Sequence, residues 1–312
     1  MSVCINTYNQ EKYIGDCLQS FIDQEVDFPY EIIVGSDAST DGTRSVIERF
    51  QAKYPDKIVP IFHESNVGPV ENVLSTYRMA RGKYISHCDG DDKALPGKLA
   101  QQVAILDAHP DCIICSHDVQ TINETGNLLQ ESFIRRAEGE YSLMDIYEKL
   151  PFFAHSSKMF VNDMESDYWH GFTKESLDID IHVAQLKKGM GYHLDRPLGC
   201  YRVGVGITAL RKGVNPLLPK ACSRIYEDAL KSFPENQALK KYYAKSMLEY
   251  AYRSAVFKDP VGLKEYAIKS LGIKYYSPIQ LVVCAGAFYP SLTFYLVSVR
   301  VWLRKVLRAL SI

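Results

Sequence analysis

The chain has 312 residues, 46% of them hydrophobic, with 36 Lys and Arg against 37 Asp and Glu and a formal net charge of −1. That is apolar material enough for one large or two modest domains. A balance this close to neutral supplies no basic face, which excludes nucleic acid as a partner class.

Residues 1–5 are apolar enough for a short buried strand, and Asn6, Thr7, Tyr8 and Asn9 follow as a polar loop. From Lys12, the residues Tyr13, Ile14, Cys17, Leu18, Phe21 and Ile22 mark one face of an amphipathic helix. A strand over 31–35 stops at Ser36 and Asp37. The run from Ala38 to Gly42 then starts a helix whose buried stripe is Val46, Ile47, Phe50 and Tyr54. Residues 57–62 form a third strand, Val70, Val73, Leu74 and Tyr77 a third helical stripe, and 83–88 a fourth strand. This alternation predicts βαβ units and a parallel sheet.

The fourth strand runs into Asp89, Asp91 and Asp92, with only Gly90 among them. Carboxylates this close repel and raise one another's pKa unless a cation relieves them. At the C-terminal end of a buried parallel strand, where open α/β sheets bind ligands, they read as a metal-binding turn. An acidic surface loop is the alternative.

Beyond the turn the pattern predicts a helix over 98–108, a strand at 112–115 and a hairpin over 121–133 turned at 124–127. A helix over 141–150 and a strand over 155–161 follow. Cys112 and Cys115 form a CxxC; on a strand they read as buried thiols, with metal or redox chemistry the lesser alternative. A helix over 177–189 carries Asp178 and Asp180 in its first turn, where partnering the helix dipole competes with any chemical role. Residues 191–202 close the unit with a strand.

From about 213 the composition turns to helix formers, predicting two or three helices. Residues 275–299 carry no charge, and Arg300, Arg304, Lys305 and Arg308 follow on a basic amphipathic pattern with Trp302. That combination points to a monotopic or re-entrant membrane contact, with burial in protein and a true span as alternatives. Eight scattered cysteines and a first strand starting at Met1, with no signal peptide, predict a cytoplasmic protein, peripheral on the inner face of the plasma membrane.

Four ordered segments carry a resemblance: SVCINTYNQEKYI, YEIIVGSDASTDGT, NVGPVENV with ARGKYISHCDGDD after it, and the stretch around Asp178. Together they resemble the inverting family 2 glycosyltransferases of bacterial surface-polysaccharide type, over residues 1 to about 208. The resemblance implies an α/β GT-A fold with a mostly parallel central sheet over 1–212 and an all-helical region over 213–312. It implies transfer from a nucleoside diphosphate sugar, a UDP-sugar favoured, to a hydroxyl of a glycan or lipid-linked acceptor.

By the same resemblance, Asp91 in the DXD position is the direct ligand of Mn2+ or Mg2+, and Asp89 reaches the donor ribose or the metal through water. Thr7, Tyr8 and Asn9 line the base pocket, Asp37 accepts from base or ribose, and Gly90 lies in the donor site; Asn66, Gly68 and Asn72 lie beside the nucleotide as secondary contacts, with capping of the following helix the alternative for Asn72. Asp178 is the implied base, with Asp180 in reserve and His182 structural. Two departures stand out. Lys93 and Ala94 replace an aromatic residue common after the acidic turn, and Gly204 stands where relatives often have a His. Arg202 is expected to compensate by pairing with phosphate. These departures recommend a rival, a catalytically silent module that binds nucleotide or a partner enzyme.

Overall fold

The computed structural model describes residues 1–205 and 214–298. The chain divides into two compact units, Met1–Ile146 with Pro151–Ala209, and Tyr147–Leu150 with Leu210–Ile312.

The first unit is built on one ten-stranded sheet. Its first half follows the expected rhythm: β1 (Ser2–Thr7), α1 (Ile14–Ile22), β2 (Glu31–Ser36), α2 (Thr43–Lys53), β3 (Ile58–Phe62), α3 (Pro69–Met79) and β4 (Tyr84–Asp89). All six residues of β1 are buried, as expected of a parallel strand covered on both faces. It lies between β2 and β4, and the order β3-β2-β1-β4 is parallel throughout. The core below combines Val3, Ile5, Ile32 and Val34 with Ile14, Leu18, Phe21 and Ile47 from the helices.

The second half comprises β5 (Lys93–Ala94), α4 (Lys98–Ala108), β6 (Cys112–Ile122), β7 (Leu128–Gln130), β8 (Gly139–Tyr141), α5 (Leu143–Glu148), β9 (Met159–Val161), α6 (Asp178–Leu186) and β10 (Met190–Arg202). Here the sheet becomes mixed, although its longer ladders stay parallel. Only β6 and β10 pair in parallel, while β9 runs antiparallel between β4 and β6, and β5, β7 and β8 also pair antiparallel.

The predicted strand over 155–161 is in fact a 3-10 turn, His155–Ser157, followed by β9. The serines divert the backbone: Ser157 Oγ donates to Ala154 O at 2.7 Å, and Ser156 Oγ accepts from Asp89 N at 3.0 Å. The helix over 141–150 shortens to α5, capped where Asp145 Oδ2 accepts from Ser142 N at 2.7 Å. Both CxxC thiols are buried and unbridged.

In the second unit the two or three expected helices are five among the described residues: α7 (Leu217–Ser232), α8 (Gln237–Val256), α9 (Pro260–Ile273), α10 (Pro278–Gly286) and α11 (Pro290–Ser298). Ala251, Ala255, Leu263 and Ala267 form its core, with Val283, Cys284, Phe294 and Val297 packed against it. Proline at the first position of α10 and again at 290 breaks the uncharged run into two short helices bent by 118°. Among the described residues, no single helix is long and apolar enough to cross a membrane. The basic pattern at Arg300, Arg304 and Arg308 lies outside the described residues.

Candidate active site

The acidic turn leaves β4 where the C-terminal ends of the parallel strands β1, β2 and β4 converge. Gly90 N donates to Asn6 O at 2.8 Å, and Asp37 N to Thr7 O at 3.0 Å, which ties the three strand ends together. Gly90 must be glycine: a Cβ there would sit 2.6 Å from Gln10 Oε1 and 2.8 Å from Thr7 Cβ. Thr7 Oγ1 and Gln10 Oε1 are themselves buried oxygens with no partner.

A buried lysine lies near the acidic turn. Lys98, at the start of α4, is 1% exposed. Its Nζ donates to Ser156 O at 2.7 Å and lies 2.9 Å from His117 Nε2, and Ser156 in turn holds Asp89 N. Burial lowers this lysine to about 8, with Cys88, Cys115 and Asp92 opposing. Sequence reasoning missed it because a lysine at a helix start normally lies in water. The signal was its place in a four-residue stripe with Gln102 and Leu106, all three buried.

The three carboxylates differ. Asp92 is buried, its Oδ1 accepts from Arg202 N at 2.8 Å, and desolvation followed by Asp91 and Asp89 pushes it well above the usual carboxylate range. Asp91 is pushed up to about 6, first by desolvation and then by the charge of Asp89. Asp89 keeps a side chain that is 42% exposed, with Oδ1 3.3 Å from His87 Nε2. Among the described residues no three His, Cys, Asp or Glu groups form a closed metal cage. What the turn offers is two carboxylates beside orphaned hard oxygens. That donor set fits Mg2+ or Mn2+, which complete their shell with water and substrate phosphate.

Arg202 is held by the protein itself. It is 4% exposed, its Nε donates to Asp91 O at 2.9 Å and its Nη1 to Asn123 O and Glu124 O, and the guanidinium lies 4.6 Å over the Tyr13 ring. It braces the acidic turn against the β6–β7 hairpin.

On the nucleotide side, Asp37 is 3% exposed and its two oxygens accept from Val67 N at 2.6 Å and Gly68 N at 3.0 Å. It ties the end of β2 to the loop before α3, a use of the carboxylate that the motif did not suggest. Asn66 Nδ2 reaches Asp37 O at 3.4 Å, and Gly68 takes a φ of +87° to start α3. Asn72 Nδ2 donates to Gly35 O at 3.0 Å, fixing the side chain against β2. Asn9, at φ +53°, accepts from Thr40 N at 2.8 Å, while Tyr8 is exposed beside it.

Asp178 opens α6 half-buried, with Oδ1 accepting from Ile179 N at 2.9 Å. It is pushed up to about 6, first by desolvation and further by Asp89, with Lys158 opposing. The fold therefore brings a helix 89 residues downstream into the field of the acidic turn. Asp180 instead caps that helix, its Oδ2 accepting from Leu177 N at 2.8 Å. His182 is buried and 2.9 Å from His155.

A single α/β sheet with a carboxylate-lined, oxygen-rich site at its parallel strand ends defines a GT-A protein with a helical C-terminal region. The chain matches the profile described as Glycosyl transferase family 2 over residues 2–169, and it belongs to that family. It is 42% identical over 127 residues to the uncharacterized protein Rv1520 of Mycobacterium tuberculosis (40% of this chain, 37% of that one). It is 34% identical over 109 residues to the putative glycosyltransferase EpsE of Bacillus subtilis (35% and 39%). The matches thus span under two fifths of the length of these relatives. Among solved structures it resembles Staphylococcus aureus TarS 1–349 in complex with UDP-GlcNAc, at TM-score 0.69 and 19% identity, covering 94% of this chain and 88% of that one. It also resembles the mannosyltransferase PcManGT of Pyrobaculum calidifontis in complex with GDP-Man and Mn2+, at TM-score 0.54 and 18% identity, covering 96% and 85%.

Proposed function

We propose that this chain transfers a sugar, with inversion, from a nucleoside diphosphate sugar to a hydroxyl of a glycan or lipid-linked acceptor in bacterial cell-surface polysaccharide synthesis. The observation that carries the reading is electrostatic. Asp178, a carboxylate raised to about 6, lies within the field of Asp89 in the acidic turn. An inverting transfer requires a base on the acceptor side and charge relief on the leaving-group side, and these two groups answer to those needs.

Asp91 and Asp89 would hold Mn2+ or Mg2+, which supplies Lewis-acid relief of the charge that builds on the departing diphosphate. Thr7 and Tyr8 would line the base pocket, with Asn9, Asp37, Asn66 and Gly68 shaping the loops around it. Gly90 lets the turn approach β1 closely. Asp178 takes the acceptor hydroxyl's proton on a carboxylate oxygen. A free Asp near 3.9 is a weak base, and the raised value makes it a better one while leaving it ionised at neutral pH. UDP is the favoured nucleotide, in keeping with the UDP-GlcNAc held by the TarS neighbour.

The same reading places the protein on the inner face of the plasma membrane, through α10 and α11. Val282, Phe288, Tyr289, Leu292, Tyr295 and Leu296 are exposed on that bent pair, and four basic residues follow it in sequence. An apolar face with a basic flank suits an anionic bilayer surface.

The deciding experiment is a thermal-shift screen of UDP, GDP, TDP and CMP sugars with Mn2+, followed by an assay of nucleotide release. Stabilisation by one donor with release of its nucleotide supports transfer. Tight binding with no release from any donor favours the silent module instead.

A further inference from the structure

We propose that His87 is a positioning residue for Asp89, donating from Nε2 to one carboxylate oxygen so that the other faces the donor complex. The inference rests on the glycosyl-transfer reading of the acidic turn and adds a residue to it.

His87 and Asp89 are two apart on β4, and alternation along a strand puts both on the same face. The ring is fully buried. Its Nδ1 lies 2.9 Å from the Tyr77 hydroxyl and 3.4 Å from Asn6 Nδ2. An amide NH2 can only donate. Nδ1 is therefore the acceptor, the ring proton sits on Nε2, and Nε2 points at Asp89 Oδ1, 3.3 Å away.

The ring cannot turn away. The His155 ring packs on it with centroids 3.7 Å apart, and Tyr77 meets it edge-on at 5.9 Å. His155 Nδ1 is in turn 2.9 Å from His182 Nε2, and Phe153 covers His182 at 4.3 Å. His182 lies one helical turn after Asp178 on α6, so the same stack that holds His87 is anchored on the helix carrying the proposed base. The Asp89 side chain is otherwise 42% exposed. Without a fixed donor it would sample several rotamers, and the metal and ribose contacts would each have to select one.

The test uses the full chain and the Mn2+·UDP complex, with free Mn2+ followed by its paramagnetic resonance signal. In His87→Gln the side-chain amide N–H reaches about as far as Nε2, whereas in His87→Asn it falls short. Mn2+ uptake with UDP should stay within about threefold of wild type in His87→Gln and weaken roughly 10- to 100-fold in His87→Asn, the usual range for groups that orient a metal ligand. UDP binding without metal should be equal in all three proteins, which a damaged fold would not allow. Equal Mn2+ uptake by wild type and His87→Asn overturns the positioning role, as does a loss in His87→Gln as large as in His87→Asn. If wild type takes up no Mn2+ with UDP or with any other nucleotide of the donor screen, the metal-dependent transfer reading fails along with it.

Discussion

The backbone N–H of Arg202, at the end of β10, donates to Asp92 Oδ1 at 2.8 Å across 110 residues of sequence. The last strand of the sheet thereby closes over the acidic turn, and the third carboxylate acts as a structural acceptor. Replacing Asp92 by Ala leaves that N–H buried and unpaired, which should cost about 1–3 kcal/mol. Asp92→Asn keeps an oxygen in place and removes a repelled charge, so it should be neutral or stabilising. Urea unfolding of both variants checks the difference; equal losses in the two would refute it.

Asp91 should trade stability for binding. Its folded pKa, about 6, lies above the ordinary value. The native state therefore holds more protons than the unfolded chain between roughly pH 4 and 6, and stability is lost as pH rises through that window. At pH 7.5 the cost is on the order of 1–2 kcal/mol after solvent screening. Asp91→Asn should accordingly melt higher than wild type without ligand, and gain no more from Mn2+ with UDP than from UDP alone. Calorimetric scans with and without the ligands read both effects.

Asp178→Asn should retain donor binding and lose transfer by roughly 100- to 10,000-fold, the usual worth of a general base. In wild type the rate should rise with pH and reach half its plateau near pH 6, because the base works ionised and is raised to about 6. Most of the activity surviving in Asp178→Asn would remove it from that role.

Membrane contact is open to a direct trial. Val282, Leu292 and Leu296 are exposed on α10 and α11, so Glu at these positions leaves the helical core intact. Wild type should sediment with vesicles containing phosphatidylglycerol, less so at high salt, and the triple variant should stay in the supernatant. Wild type that remains soluble with such vesicles at low salt rules the contact out.

Much of the first half of the sheet was legible in advance. The strands β1 to β4 are apolar runs ended by polar turns, and their helices show one-sided stripes, so near-neighbour chemistry suffices to place them. The second half was less so. The 3-10 turn at His155–Ser157 brings Ser156 Oγ to Asp89 N, a partner 67 residues away that no local pattern reveals. The same holds for Asp37, whose oxygens bind the loop at Val67 and Gly68.

By itself the sequence determined the family, the order of the strand ends and the identities of the carboxylates, because these depend on residue type and on spacing along the chain. The tertiary structure alone decided how those carboxylates differ in burial, contacts and charge. Burial beneath β10 makes Asp92 a brace, the lysine at 98 lies under the turn, and α6 carries Asp178 into the field of Asp89. Burial and charge proximity are properties of packed three-dimensional neighbours, and a pKa follows those neighbours rather than the residues on either side in the chain.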